Sequence, residues 1–343
     1  MLIQTDAATK SVQQERIDLL SVAAINFIVL HLACLLVLWV EFSWLALASG
    51  VVCYLVRMFG ITAGYHRYFS HRAYGTSRAF QFLLACLGAS AGQRGPLWWA
   101  AHHRHHHRHS DTDRDVHSPV AHSLFRAHIG WVMCRKYDVA ELSLVKDLSR
   151  YPELRRLDRY FFAPPVALAS GLTLTGWLLE RRAPGLHTSA LQMLLYGYVV
   201  STVLLYHATF SVNSLAHKFG RRRFAVNDES RNNFWVALVT LGEGFHNNHH
   251  YYPASERQGF YWWEIDVTHF CLRALAWLRV VWDLKTPPER ILTETARCSQ
   301  ASSRPSPLSS RRNHALALPH SANTGASESP NTSAVSTALK PPK

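Results

Sequence analysis

Long apolar stretches alternate with polar, histidine-rich segments along this chain. A helix needs about 20 mostly apolar residues to cross a bilayer. Stretches of that length run from Leu19 to Val40, from Trp44 to Ala63, from Tyr160 to Leu179 and from Leu191 to Val212. The first has no small-residue cleavage site behind it, so it is not interpreted as a signal peptide. The pattern predicts an all-α integral membrane protein with four transmembrane helices.

A further apolar stretch, from Phe80 to Trp99, is interrupted by Gln93, Arg94 and several glycines. Polar groups of this kind are expensive in the middle of a lone membrane helix. This stretch therefore predicts a shorter, interfacial or partly buried segment. The polar segments around it are expected to form a helical cap on one side of the membrane.

The distribution of Lys and Arg predicts which side that is. The segment between the second and third predicted spans is rich in both residues, and Lys218 and Arg221 to Arg223 follow the fourth span. Loops rich in Lys and Arg stay in the cytoplasm. Arg181 and Arg182 are an exception to this rule, because they lie in a loop that is expected on the opposite side of the membrane. We expect the cap on the cytoplasmic face of the membrane.

Composition supports the membrane assignment and marks the ends of the domain. Hydrophobic residues make up 48% of the chain and charged residues 17%, below the roughly 25% of soluble proteins. The net charge of +13 follows from basic flanks that meet anionic lipid headgroups, so no nucleic-acid partner is expected. From residue 296 to 343 the chain is rich in Ser, Pro and Thr, which predicts a disordered tail. Residues 1–18 are expected to form a cytoplasmic segment and residues 19–295 the membrane domain.

The histidines fall into three boxes, HRYFSH, HRHHH and HNNHH. Residues at i, i+3 and i+4 of an α-helix share one face, so HxxHH directs three imidazoles to one point. The last box has this spacing at His246, His249 and His250, and the second has it in two registers, as His103, His106 and His107 or as His102, His105 and His106. The first box, His66 and His71, has a spacing of five. It needs a helix end, a π-bulge or a loop before both rings converge.

Converging imidazoles predict transition metals. Neutral imidazole suits iron, zinc, copper and nickel rather than calcium or magnesium. One ion takes roughly four to six ligands, so eight or more histidines imply two ions. The alternative is a nonspecific histidine-rich tract from His102 to His109, but the two other boxes, each after an apolar stretch, argue against it. The isolated His31, His187, His207 and His269 are interpreted as satisfied core or surface residues.

With their flanks, the boxes resemble those of a known family. GYHRYFSHRAY, WAAHHRHHHRHSDTDRDVHSP, HIGW, VNSLAH and DESRNNFWVALVTLGEGFHNNHHYYP are similar to segments of the integral-membrane acyl-CoA desaturases of the stearoyl-CoA Δ9 type. The likeness covers roughly Trp44 to Pro287. HNNHH with GFYWWEID is more similar to the bacterial branch, which implies a bacterial inner membrane as the location. Val116 departs from the proline that the family commonly has before the residue at His117.

The resemblance implies a register and a ligand set. Family members carry Ser and an acidic residue after the second box, here Ser110 and Asp111, which leaves His102, His105 and His109 as bystanders. An NSxxH element adds His217 as a ligand and Asn213 as the residue that holds a metal-bound water. The implied ligands of two irons are His66, His71, His103, His106, His107, His217, His246, His249 and His250.

The resemblance also implies the reaction. Side chains cannot remove hydrogen from unactivated methylenes, so a redox cofactor must do it. Two irons with O2 as co-substrate would insert a cis double bond, expected at Δ9, into a saturated chain on CoA or another acyl carrier. Electrons are expected from a separate donor, such as a ferredoxin with a flavin reductase or a cytochrome b system. The carboxylates near the boxes, Asp111, Asp115, Asp228 and Glu243, are candidates to orient imidazoles or are solvated charges.

Three alternatives carry less support. A membrane di-iron hydroxylase of a lipid or alkane shares the metal chemistry, but HRYFSH and NSLAH favour a desaturase. A soluble di-iron carboxylate protein needs paired ExxH elements, and only Glu243 with His246 fits. A histidine-rich metal transporter should carry several polar ligands inside its spans, which here offer only His31, Arg57 and His207.

Overall fold

A computed structural model describes residues 16–293 of the chain. The α-helices are α1 (Val22–Cys34), α2 (Trp44–Phe59), α3 (Arg78–Ser90), α4 (Pro96–His109), α5 (Leu124–His128), α6 (Lys146–Ser149), α7 (Pro152–Arg159), α8 (Ala163–Arg182), α9 (Ala190–Leu194), α10 (Ser201–Ser214), α11 (Phe234–Val239), α12 (His246–Tyr251) and α13 (Val267–Trp277). The predicted tail and most of the predicted N-terminal segment lie outside the described residues.

Wider and tighter helical turns extend these elements. π-Helices continue α2 over Gly60–Ser70 and α9 over Leu195–Val200. Short 3-10 helices occupy Leu35–Trp39, Gly130–Met133, Arg135–Asp138, Leu142–Val145 and Pro184–Leu186. The strands β1 (Gly75–Thr76) and β2 (Val281–Trp282) pair antiparallel, with Gly75 opposite Trp282. The described chain is therefore mostly helical, as predicted.

Three helical stretches among residues 16–293 are long and apolar enough to cross a membrane: Val22–Trp39, Trp44–Ser70 and Ala190–Ser214. They match the first, second and fourth predicted spans. The third, α8, qualifies only together with α7, from which it is bent by 67°, so a fourth span stays a prediction. The interrupted stretch forms the short helix α3 and the start of α4, as its polar residues predict.

Side chains at the helix starts explain where the elements begin. Ser21, Ser43 and Ser77 each accept a hydrogen bond from a backbone N–H in the first turn of α1, α2 and α3. Asn233 and Asp266 do the same for α11 and α13. Such caps satisfy N–H groups that have no partner inside the helix. They fix the ends of the elements that carry the site.

The largest apolar core lies where the π-helix after α2 packs against α3 and α4. Tyr65, Phe69, Leu84 and Leu97 are among its fully buried side chains. A Cβ added to Gly60 would lie 2.7 Å from the backbone nitrogen of Gly88. Since real Cβ atoms do not come that close, glycine is required where α3 crosses the π-helix.

Candidate metal centre

The π-helix solves the spacing problem of the first box. The His71 N–H donates to the carbonyl oxygen of His66, five residues earlier, at 3.3 Å. Bonds of this kind widen the turn, so residues five apart face the same side. The two ring centroids lie 4.9 Å apart. The prediction that this box needs an irregular helix or a helix end is confirmed.

The helix of the second box is anchored by a residue from another element. Asp158 of α7 accepts hydrogen bonds from the N–H groups of Leu97 and Trp98, both at 3.0 Å. The helix begins after Gly95, which has no capping side chain of its own, and a Cβ there would collide with Asp158. Asp158 therefore acts as the cap of α4.

Replacing Asp158 with alanine is expected to lower the free energy of unfolding by about 1 kcal/mol, the usual contribution of such a cap. Thermal unfolding in detergent measures this, with the exposed Asp113→Ala as the matched control. Equal unfolding temperatures for the two variants would contradict the capping role.

The nine implied histidines gather into two groups. The groups are His66, His71, His103, His107 and His249, and His106, His217, His246 and His250. Within each group the ring nitrogens that face inward lie within 4.8 Å of one another. The bystanders His102, His105 and His109 belong to neither group among the described residues. The second box therefore contributes to both groups, two histidines to one and one to the other.

The distances inside the groups suit bound ions. The Nε2 atoms of His66 and His107 each lie 3.0 Å from Nε2 of His249, and those of His217 and His246 lie 3.0 Å apart. Metal–imidazole bonds of about 2.0–2.1 Å place ligand nitrogens about 3 Å apart when they meet at right angles. One group offers five inward nitrogens and the other offers four. Each number matches the count of ligands that one metal ion takes. Their role as ligands stays a prediction.

Carboxylates hold the outer nitrogens of four histidines. The Nδ1 atoms of His106, His217 and His250 lie 3.0, 2.9 and 2.6 Å from carboxylate oxygens of Asp115, Asp111 and Asp228, and Nδ1 of His66 contacts Glu243. A carboxylate at Nδ1 fixes the proton there and turns Nε2 toward the metal. The four acidic residues therefore lie where orienting partners are expected, and their role toward a metal stays a prediction.

Two of the inward-facing ring nitrogens are buried without a hydrogen-bond partner in the described part of the chain. Among the described residues no hydrogen-bond partner meets Nε2 of His106 or of His250, although both atoms are buried. A buried polar atom without a partner is destabilising. A metal ion would satisfy both atoms, so the donor set fits one.

Burial favours the neutral form of most of these imidazoles, and His106 is the exception. Burial, reinforced by neighbouring histidines, holds the pKa of His103 and His249 well below its ordinary value, and burial lowers the pKa of His250 to about 4. Burial also acts on His106, but Asp115 outweighs it and raises the pKa. Burial raises the pKa of the four carboxyl groups less than their partners lower it, so each pKa lies below its ordinary value. Neutral imidazoles bind metal.

A buried arginine ties the first box to the rest of the cap. Arg67 donates to Oε1 of Glu243 at 2.9 Å, to Oδ1 of Asp266 at 2.9 Å and to the carbonyl oxygen of Glu256 at 2.6 Å. Asp266 is also the N-cap of α13. In the sequence, Arg67 is one of many basic residues between the second and third predicted spans, and no local signal distinguishes it from the arginines around it.

The two asparagines of HNNHH are structural. Oδ1 of Asn247 accepts from the N–H groups of Arg223 and Phe224 at 2.8 and 2.7 Å. Nδ2 of Asn248 donates to the carbonyl oxygen of Gln258 and to Glu264, both at 2.9 Å. These bonds hold α12 in place, so that its histidines point into both groups. Their partners lie up to 24 positions away in the chain, so the spacing of the box does not predict these bonds.

More than half of the chain matches one known protein family. A model of the fatty acid desaturase family, described as "Fatty acid desaturase", matches residues 42–279. This chain belongs to the fatty acid desaturase family. It is 37% identical over 258 residues to an sn-2 palmitoyl-lipid 9-desaturase of Nostoc sp. (strain 36), covering 73% of this chain and 84% of the relative.

Other desaturases of the family are similar in extent. An acyl-CoA 5-desaturase of Anemone leveillei is 34% identical, covering 76% of this chain and 78% of the relative. The Delta-9 acyl-lipid desaturase 1 of Arabidopsis thaliana is 34% identical, covering 80% of this chain and 86% of the relative. The family establishes an oxidoreductase that acts on fatty acyl chains in a membrane. The carrier differs among these relatives, so acyl-CoA stays a prediction here, as does the bacterial branch.

The desaturase has a large cavity beside its histidine groups. The cavity has a volume of about 810 Å³ and is lined mainly by aromatic and apolar residues, among them Phe27, Trp99 and Tyr206. The Trp99 ring stacks on His103 with centroids 5.0 Å apart. Its Nε1 faces Oε1 of Gln93, whose amide donates to Thr209 at 3.0 Å. Trp99 therefore contacts both the cavity and the five-histidine group.

The carboxylate partners give a prediction about metal retention. Asp228→Asn is expected to weaken metal binding about 10- to 100-fold, the usual effect of losing such a partner, because His250 loses the group that orients it. Metal content after dialysis against a chelator measures this. The exposed Asp113→Asn is the control and should retain metal like the wild type; equal retention by both variants would contradict the assignment.

Proposed function

We propose that this desaturase inserts a cis double bond at the Δ9 position of a saturated acyl chain carried by CoA, using O2 and two irons. The observation that carries the proposal is the division of nine histidines into groups of five and four. Two single-ion sites made of imidazoles alone suit iron and leave little role for carboxylate ligands.

The chain's residues would hold and orient the irons. The nine histidines would bind them, the four carboxylates would keep their imidazoles oriented, and Asn213 would hold a water on one metal. Asn213 lies on α10, four residues before His217. When bound, the irons would supply the oxidation that side chains cannot perform.

The cavity would bind the acyl chain. Its volume of about 810 Å³ lies within the range of pockets that enclose small ligands. Aromatic walls exclude water from an apolar chain, and Trp99 would fix which carbon pair lies closest to the five-histidine group. Binding geometry of this kind sets which bond reacts.

Two arginines beside the cavity bear on the acyl carrier. Arg94 and Arg135 line the cavity, each in an ion pair with a carboxylate, Asp138 and Asp18 respectively. Arginines of this kind could bind the phosphates of CoA. We propose that electrons come from a separate protein on the cytoplasmic face of a bacterial inner membrane.

The test is the fatty-acid profile of cells that lack their own desaturase, before and after they express this chain in air. A new cis monoene with its double bond at Δ9 is expected. A hydroxylated fatty acid instead, or no new product with iron bound and an electron donor supplied, would contradict the proposal. Supplying isolated membranes with labelled stearoyl-CoA or labelled glycerolipid then separates the carriers.

The domain boundaries give a further prediction. Truncation after Arg297 is expected to leave the desaturation rate unchanged, because every residue of the predicted site precedes it. The rate per milligram of membrane-bound protein measures this. Loss of turnover at normal expression would show that the tail takes part in function.

A further inference from the structure

A second groove, separate from the acyl cavity, runs along the bend between α7 and α8. Its volume is about 780 Å³, within the range of pockets that enclose small ligands. Its walls are mostly apolar and come from three helices, with Phe82 of α3, Leu157 of α7 and Ala167 of α8 among them. Phe82 and Ala167 are exposed. An exposed apolar groove of this size is typical of a site for an apolar ligand.

The α7 wall of this groove is positively charged. Arg156 lines the groove and is exposed, and within residues 16–293 it forms no ion pair. Glu153 also lines the groove, but both of its carboxylate oxygens accept hydrogen bonds from Arg78, at 2.7 Å. Arg155 and Arg159 lie beside Arg156 on the same short helix, are exposed, and likewise have no ion pair in that part of the chain. The groove therefore combines apolar walls with a cationic edge.

The position of the groove indicates what kind of ligand it meets. α7 lies on the side of the cap, because its Asp158 contacts the start of α4. That side is the predicted cytoplasmic face, where the leaflet carries anionic lipids that basic residues attract. α8 continues from the bend as the third predicted span, so the groove leads from the headgroup region toward the hydrocarbon core. A phospholipid has the matching chemistry, since arginine binds phosphate and the apolar walls suit an acyl chain.

The first turns of α8 separate the groove from the acyl cavity. Ala163 and Ala167 line the groove, whereas Phe162 and Val166, each one position earlier, line the acyl cavity. Residues four apart share a face of a helix, so α8 presents one face to each space. A ligand in the groove therefore packs against the back of the cavity wall.

The groove is also linked to the helix of the second box. Arg156 and Leu157 line the groove and directly precede Asp158 on α7. Asp158 accepts hydrogen bonds from the N–H groups of Leu97 and Trp98, at the start of α4. A ligand that holds α7 in place therefore also holds the cap of the helix that carries His103, His106 and His107.

We propose that this groove binds one anionic glycerophospholipid of the leaflet on the side of the cap. Arg156 binds its phosphate, and one acyl chain lies against α3 and α8. The bound lipid fixes the bend between α7 and α8, and so stabilises α4 and the wall of the acyl cavity. The site is distinct from the substrate cavity, and its occupation requires no turnover.

The experiment titrates the purified full chain in detergent with labelled dioleoyl phosphatidylglycerol, and with labelled dioleoyl phosphatidylcholine for comparison. The wild type is expected to bind one phosphatidylglycerol per chain. Arg156→Gln removes the charge and should weaken this binding about 10-fold, the usual effect of losing a charge-assisted hydrogen bond. Ala167→Trp should weaken it by filling the groove. The controls Arg182→Gln and Thr175→Trp change exposed residues of α8 outside the groove and should bind like the wild type.

Thermal unfolding gives the second readout. Without lipid, all five proteins are expected to unfold at similar temperatures, because the substituted side chains are exposed. Phosphatidylglycerol should raise the unfolding temperature of the wild type and both controls, since a ligand of the folded state stabilises it, and raise that of Arg156→Gln and Ala167→Trp less.

Three outcomes would overturn the proposal. Equal binding of phosphatidylglycerol by all five proteins would show that the groove is not the site. Equally tight binding of phosphatidylcholine would contradict an anionic ligand, and displacement of the labelled lipid by stearoyl-CoA would assign the groove to the substrate. Absence of desaturation would contradict only the proposed function, because neither readout needs turnover.

Discussion

His249→Ala is expected to form no detectable double bond and to lose iron, while the protein stays in the membrane. Nε2 of His249 lies 3.0 Å from Nε2 of both His66 and His107, so this ring touches the other boxes inside the five-histidine group. Its removal takes away a ligand and leaves a gap between its neighbours. His106→Ala should have the same effect through the four-histidine group. Product analysis and metal content of the membranes measure both results.

The matched control is His105→Ala. His105 lies beside His106 on α4 but belongs to neither group, and its ring contacts the carbonyl oxygen of Arg114 at 3.2 Å. This variant should keep its iron and its rate. Wild-type activity in His249→Ala, or loss of iron in His105→Ala, would contradict the assignment of ligands and bystanders.

Arg67→Met is expected to lower the free energy of unfolding by about 3–5 kcal/mol, the usual effect of removing one partner of a buried ion pair. Arg67 is 1% exposed, and its loss leaves the buried carboxylates of Glu243 and Asp266 without their cation. Because Glu243 also contacts His66, iron binding should weaken too. Thermal unfolding in detergent and metal content measure the two effects.

Arg72→Met, which changes the residue directly after the same box, is the control. Its ion pair with Asp147 is partly exposed, and such pairs contribute about 0–1 kcal/mol. A large difference between the two unfolding temperatures is expected. Similar temperatures would mean that the Arg67 network does not hold the cap together.

The sequence predicted the features that local spacing controls. The HxxxxH box cannot converge on a regular helix, and the π-helix at Gly60–Ser70 meets that requirement. Three of the predicted spans follow from apolar length alone. The third predicted span does not follow in the same way. The helix α8 qualifies as a span only together with α7, and the two helices are sharply bent relative to each other. Hydropathy along the chain does not report such a bend.

Long-range partners could not be predicted. Arg67 bonds residues 176 and 199 positions away, and nothing in a local pattern selects it from neighbouring arginines. Asp158 caps a helix from 61 positions away in the chain. The four orienting carboxylates were identified only as candidates, since proximity in sequence does not fix which way a side chain points. Such contacts depend on how the helices pack.

The iron content of the purified protein shows whether the nine histidines build two iron sites. We expect two irons per chain in the wild type, fewer in His249→Ala and in His106→Ala, and an unchanged content in His105→Ala. An active protein with a single iron, or with iron unaffected by both ligand substitutions, would contradict it.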